Sequence, residues 1–105
     1  MHIDIRPKGF ELTDALQQDV ERRVRLALGR VADRLDGVTV RIEARDSAAE
    51  GEARYTCRIA MTPARLQIEE EHDRLATAID RAIDRAARLA TPLPIRNPPA
   101  HGGGS

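Results

Sequence analysis

Aromatic residues are nearly missing from this chain: Phe10 and Tyr55 are the complete set, and tryptophan is absent. Modules that read single strands by stacking bases on aromatic rings, in the manner of RRM or OB folds, therefore have no platform here. Cysteine occurs once, at Cys57, which rules out an intramolecular disulfide and leaves any cysteine-based zinc site incomplete. Cys57 falls in the apolar register of a strand, so an inert buried thiol is expected rather than a nucleophile. The three histidines, His2, His72 and His101, show no ligand spacing. Long apolar runs are missing too, and nothing approaches the ~20 residues that span a membrane. The opening MHIDIRP has neither a basic n-region nor an apolar h-region, so it does not read as a signal peptide. A cytoplasmic location without membrane association is expected. Finally, there is no excess of charge. Seventeen Lys and Arg face seventeen Asp and Glu, for a formal net charge of zero. General basicity, the usual footprint of a nucleic-acid-binding domain, is thus absent, and any such binding must rest on where the charges sit.

Catalytic signatures are lacking as well. There is no nucleophile elbow, Walker loop or dinucleotide fingerprint. Glu69 to Glu71 with His72 fall short of the six or more convergent oxygens that a hard cation needs, and read as a solvated turn. A non-enzymatic protein is expected, with no cofactor, no metal and no small-molecule substrate.

What is present is patterned. His2 to Arg6 alternates and reads as a short strand stopped by Pro7. Thr13 is placed to cap a helix over 14–34, in which Leu16, Val20, Val24, Ala27, Leu28 and Val31 recur at helical spacing. Gly29 weakens that helix locally and marks a bend or a looser final turn. Residues 38–46 and 53–62 alternate strictly as two long strands, joined by a polar turn near Ser47 to Gly51. A tight turn at Thr62-Pro63-Ala64 leads to a strand over 65–71, and a second helix covers 74–90. The order β-α-β-β-β-α predicts an α+β fold: a four-stranded mixed sheet with two helices on one face. The exposed sheet face would carry Arg41, Arg45, Arg54, Arg58 and Arg65. With Glu43, Glu69 and Asp4 able to pair across strands, it reads mainly as a salt-bridged solvent surface. Residues 1–90 form one domain in this reading. Residues 91–105, with four prolines between Thr91 and Ala100 and the ending HGGGS, form a Pro/Gly-rich flexible tail.

The second helix sorts its side chains into stripes. Leu75, Ala78, Ile79, Ala82, Ile83, Ala86 and Leu89 make an apolar face, while Arg74, Arg81, Arg85 and Arg88 gather within roughly 60° at 3.6 residues per turn. Two readings follow. The arginines could bind phosphate, which they contact in bidentate fashion. On this helix alone the solvated face is the favoured reading, with Asp84 offsetting Arg81 at i,i+3 and Arg88 at i,i+4.

Two segments carry a family likeness. The run Ile5 to Leu16 (IRPKGFELTDAL) resembles the start of the ribosome hibernation-promoting factor / ribosome-associated inhibitor A family, also called sigma-54 modulation proteins. Its Lys8, the only lysine of the chain, falls on a family lysine. The run Ala76 to Leu89 (ATAIDRAIDRAARL) is similar to the family's second helix, an Ala-Ile-Asp/Asn step followed by basic positions. The likeness covers residues 1 to about 90. It implies a non-enzymatic factor that binds the small ribosomal subunit through 16S rRNA, occupies the decoding channel and silences translation in resting or stressed cells. By the same likeness, Lys8, Arg85 and Arg88 match basic positions presented to rRNA phosphates. Arg81 and Arg74 extend the stripe, and Arg22, Arg23 and Arg25 of the first helix are candidates by location. Three features depart from typical members: Pro92 and Pro94 cut the second helix short, the net charge is zero, and neither a dimerisation domain nor an acidic tail is recognisable, which is the short-form pattern. The clipped helix and the neutral charge motivate an alternative, a diverged protein-interaction module of the same fold without ribosome binding. Oligomeric state is open.

Overall fold

In the computed structural model, residues 1–47 and 52–94 are described. The chain forms β1 (His2–Lys8), α1 (Asp14–Leu28), a 3-10 helix (Gly29–Arg34), β2 (Gly37–Ser47), β3 (Glu52–Thr62), β4 (Leu66–His72) and α2 (Leu75–Ala90). The four strands lie in the order β1-β2-β3-β4. β1 runs parallel to β2, and the two later pairs are antiparallel. This is the expected α+β arrangement.

Alternation builds the core. Ile3, Val38, Val40, Ile42, Cys57, Ile59, Met61 and Ile68 share one face of the sheet, and all are buried. Val20, Val24 and Leu28 of α1 join Ala78, Ile79, Ala82, Ile83, Ala86 and Ala90 of α2 in the same cluster. Both helices therefore cover one face, and no element among the described residues covers the opposite face.

β2, β3 and β4 each extend one residue past an expected end, and four further differences matter more. β1 continues through Pro7 to Lys8, with Pro7 in register with Ile42. An edge strand tolerates proline where the missing N–H would face away from its neighbour. The first helix does not run unbroken to residue 34. At Gly29 it gives way to the 3-10 helix, which is the looser final turn expected there. Arg65 lies not in a strand but in the β3–β4 turn, at φ 58°, so it does not join the open-face ladder. The second helix starts at Leu75, one residue late.

Thr13 caps α1 as expected, its Oγ accepting the Leu16 N–H at 3.1 Å. Beyond α2, the first residues of the presumed tail are held. The Thr91 hydroxyl donates to the Ala87 carbonyl at 2.7 Å, Arg34 donates to the Thr91 carbonyl, and Leu93 packs against the core. Most of the expected 47–51 turn and the tail from 95 onward lie outside the described residues.

Candidate nucleic-acid interface

The arginine flank of α2 survives in three dimensions with one member displaced. Arg81, Arg85 and Arg88 are exposed along the helix, next to the buried alanine and isoleucine face. Arg74, assigned to the helical stripe from the sequence, instead occupies the N-cap with extended backbone (φ −117°, ψ 128°). Helical pitch therefore does not fix its side chain. Its N–H is taken by His72 Nδ1 at 3.1 Å, which satisfies one donor at the helix start.

The stripe is only partly free. Arg85 pairs with Glu70 of β4 and donates to the Glu69 carbonyl oxygen at 3.2 Å, tying the helix to the sheet edge. Arg88 pairs with Asp84 at 2.8 Å, one turn away on the same helix. Asp84 thus serves Arg88 and not Arg81. Among the described residues Arg81 and Arg74 have no ion pair.

The α1 candidates divide similarly. Arg22 pairs with Asp19 at 2.7 Å. Arg23 reaches Asp19 at 3.0 Å and also Asp80 of α2, so it bridges the two helices. Arg25 is exposed in the last turn of α1, where a cation suits the helix dipole, and has no ion pair among the described residues.

Lys8 sits elsewhere. It ends β1, at the edge of the sheet opposite β4, three strand spacings or about 14 Å across from the strand that Arg85 touches. The next residue, Gly9, has φ +85°, in the left-handed region. A Cβ there would lie 2.3 Å from the Ala44 carbonyl oxygen, so only glycine fits. Lys8 lies on the open face with Arg6, Arg41 and Arg58, around one hollow of about 380 Å³. The structure therefore separates Lys8 from the α2 arginines and groups it with three arginines not singled out for binding from the sequence. The signal was present in the strand alternation of Arg6, Arg41 and Arg58, but their mutual register was not.

A model for the family described as sigma 54 modulation protein / S30EA ribosomal protein matches residues 3–90. The chain belongs to this family. Among solved structures, this S30EA-family chain is similar to the N-terminal domain of Protein Y from Thermus thermophilus. That match has 25% identity and a TM-score of 0.62, and covers 86% of this chain and 96% of that one. It also shares its fold with a ribosomal subunit interface protein from Coxiella burnetii, at 13% identity and a TM-score of 0.63, with 87% and 94% of the two chains covered. A comparison with curated protein sequences finds no match.

Within this S30EA-family chain, Cys57 is fully buried on the core face, and desolvation pushes its thiol from 9.0 up to about 12. It is neutral at any physiological pH and sheltered from solvent, the opposite of a nucleophile. Among the described residues, no three His, Cys, Asp or Glu side chains converge as a metal site would require, and no helix is long and apolar enough to cross a membrane.

Proposed function

We propose that this chain is a non-enzymatic, cytoplasmic ribosome-binding factor that occupies the decoding channel of the small subunit and represses translation in resting or stressed cells. The family match over 3–90 carries this reading. The exposed arginine flank of α2 supports it: among the described residues Arg81, and Arg74 at the N-cap, are free of ion pairs, and Arg88 has only a solvent-exposed i,i+4 pair. Such surface pairs are worth ~0.3–0.5 kcal/mol, so a phosphate can displace the carboxylate at little cost. In this account Arg81, Arg85 and Arg88 contact 16S rRNA along one helix with Arg74 at its N-cap, Arg22, Arg23 and Arg25 contact it from the neighbouring helix, and Lys8 does so from the far sheet edge. Repression follows from occupancy: arginines fix phosphates while the αβ body excludes mRNA and tRNA. No bond is made or broken.

A second reading has its own support. Net charge is zero, and Arg22, Arg23, Arg85 and Arg88 already have carboxylate partners. A diverged protein-interaction module of the same fold would look like this. Sedimentation of the purified chain with 30S subunits at low and high salt separates the two. The ribosome-binding reading expects saturable, salt-sensitive co-sedimentation at low salt; the interaction-module reading expects none.

A further inference from the structure

The face of the sheet away from the helices carries a row of like charges. Arg6 of β1 stands opposite Arg41 of β2, and Arg41 stands opposite Arg58 of β3. Like charges directly opposite one another destabilise a sheet. The outer members are partly neutralised: Arg6 pairs with Asp4 at 2.7 Å, and Arg58 pairs with Glu69 at 2.6 Å. The central Arg41 is exposed and has no ion pair or hydrogen bond among the described residues. Neither does Lys8, one step along the same face.

Two hollows of about 380 Å³ each flank this row and share Arg6, Arg41 and Arg58. Lys8, Glu43 and Thr56 contribute to the first, and Thr39 and Gln67 to the second; Glu43 pairs with Arg45 at 3.8 Å. Ligand pockets begin at about 300 Å³, so each hollow can seat a sugar or a base. The shape is an open trough crossed by cations, which suits an extended anion better than a compact one. No aromatic residue lines either hollow, so bases find no ring to stack on, and the charged row favours the backbone over the base edges. Carboxylates already stand beside Arg6 and Arg58, and Glu43, opposite Lys8, is engaged by Arg45; four cations face it around the first hollow. What the unpaired centre lacks is an external anion, and an arginine fork matches phosphate oxygens bidentately.

We propose that this open face is a second nucleic-acid contact: it holds the phosphodiester backbone of a single RNA strand, without sequence preference, across the Arg6–Arg41–Arg58 row. The identity of the occupant rests on the ribosome-binding reading; the site itself rests on the register and the two hollows. The face lies opposite the helices, so the domain would be clasped between two RNA segments.

The test uses the full chain and a 12-nucleotide oligouridylate in the absence of ribosomes, followed by fluorescence anisotropy and arginine Nε NMR. Binding is expected to shift the Nε resonances of Arg6, Arg41 and Arg58. Arg41→Gln should weaken it about tenfold, the effect of one lost charge-assisted hydrogen bond. It should also flatten the log K against log salt slope by about 0.7, the single-strand value per phosphate contact. Arg30→Gln removes the same charge from the 3-10 helix and should change neither quantity. Circular dichroism establishes that each variant is folded. The proposal is overturned by no oligouridylate binding, by binding insensitive to Arg41→Gln, or by shifts confined to Arg81 and Arg88. Displacement by uridine monophosphate at equal phosphate concentration would show a site for isolated phosphate, and tighter binding of oligoglutamate would show one for acidic peptide; either sinks the RNA-strand assignment. These outcomes are independent of 30S sedimentation, so the two readings fail separately.

Discussion

Arg85 of α2 reaches the edge strand β4, where its guanidinium pairs with Glu70 and donates to the Glu69 carbonyl oxygen at 3.2 Å. One of the residues that the family likeness presents to rRNA is therefore also a tie between helix and sheet. Arg81, four residues earlier, has no ion pair among the described residues. The two arginines should separate when stability and binding are measured together. Arg85→Ala is expected to lower stability by roughly 0.5–1 kcal/mol, the upper range for a partly exposed pair. Arg81→Ala should stay within about ±0.5 kcal/mol in urea denaturation while weakening 30S binding at least as much. Glu70→Gln, which releases Arg85, should strengthen binding. Equal stability losses for the two arginines would contradict the assignment.

The glycine that follows β1 and the glycine that ends α1 give opposite predictions. Gly9 has φ +85° and would place a Cβ 2.3 Å from the Ala44 backbone, so Gly9→Ala should cost at least about 2 kcal/mol. Gly29 is in right-handed helical conformation (φ −57°, ψ −36°) with open space around it. Gly29→Ala should therefore stabilise by about 0.4–1 kcal/mol, through reduced freedom of the unfolded chain. Thermal melts of both variants check the pair, and a stabilising Gly9→Ala would mean that the turn after Lys8 is built otherwise.

Cys57 gives a pH prediction with a definite sign. Its thiol ionises near 9.0 when exposed and near 12 when folded. Between those values the folded state keeps a proton that the unfolded state loses, so stability must fall as pH rises through this window. The slope approaches about 1.4 kcal/mol per pH unit for one group. Cys57→Ala should show a flatter alkaline dependence than wild type, whatever its stability near neutrality. A thiol reagent at about pH 8 should label the native chain only as fast as the core opens. Rapid labelling would place Cys57 at the surface.

Much of the fold was legible because it is written in local periods. Strict alternation located Ile42, Ile59 and Met61 on the buried face, and 3.6-residue spacing placed Ile79 and Ala82 against them. Pro7 misled because its cost depends on whether the strand is central or at an edge, which no local pattern reveals. Arg74 misled because a helix start moves by a residue with its cap. The open-face row was hidden for a deeper reason. A hairpin of known turn length sets Arg41 against Arg58, but Arg6 reaches Arg41 only through a β-α-β crossover whose register is decided by core packing. The ion pairs of Arg23 with Asp80 and of Arg85 with Glu70 were likewise invisible, since each joins elements far apart in the chain.

The chain beyond α2 is more than a spacer at its start. Leu93 packs against the core and Arg34 holds the Thr91 carbonyl. A chain ending at Pro94 should be more stable than one ending at Ala90 by about 1 kcal/mol, within the range for burying part of an aliphatic side chain and keeping a charge-assisted hydrogen bond. Indistinguishable melting temperatures would show that these contacts carry no net weight.

If arginines of α2 hold rRNA phosphates, the salt dependence of 30S binding must report each contact. Each phosphate contact contributes about −0.7 to −0.9 to the slope of log affinity against log salt. Removing Arg81 and Arg88 together should therefore flatten the wild-type slope by about 1.4–1.8 and weaken binding at low salt, with the domain still folded. A double variant that binds 30S subunits with unchanged affinity and unchanged slope would contradict the claim.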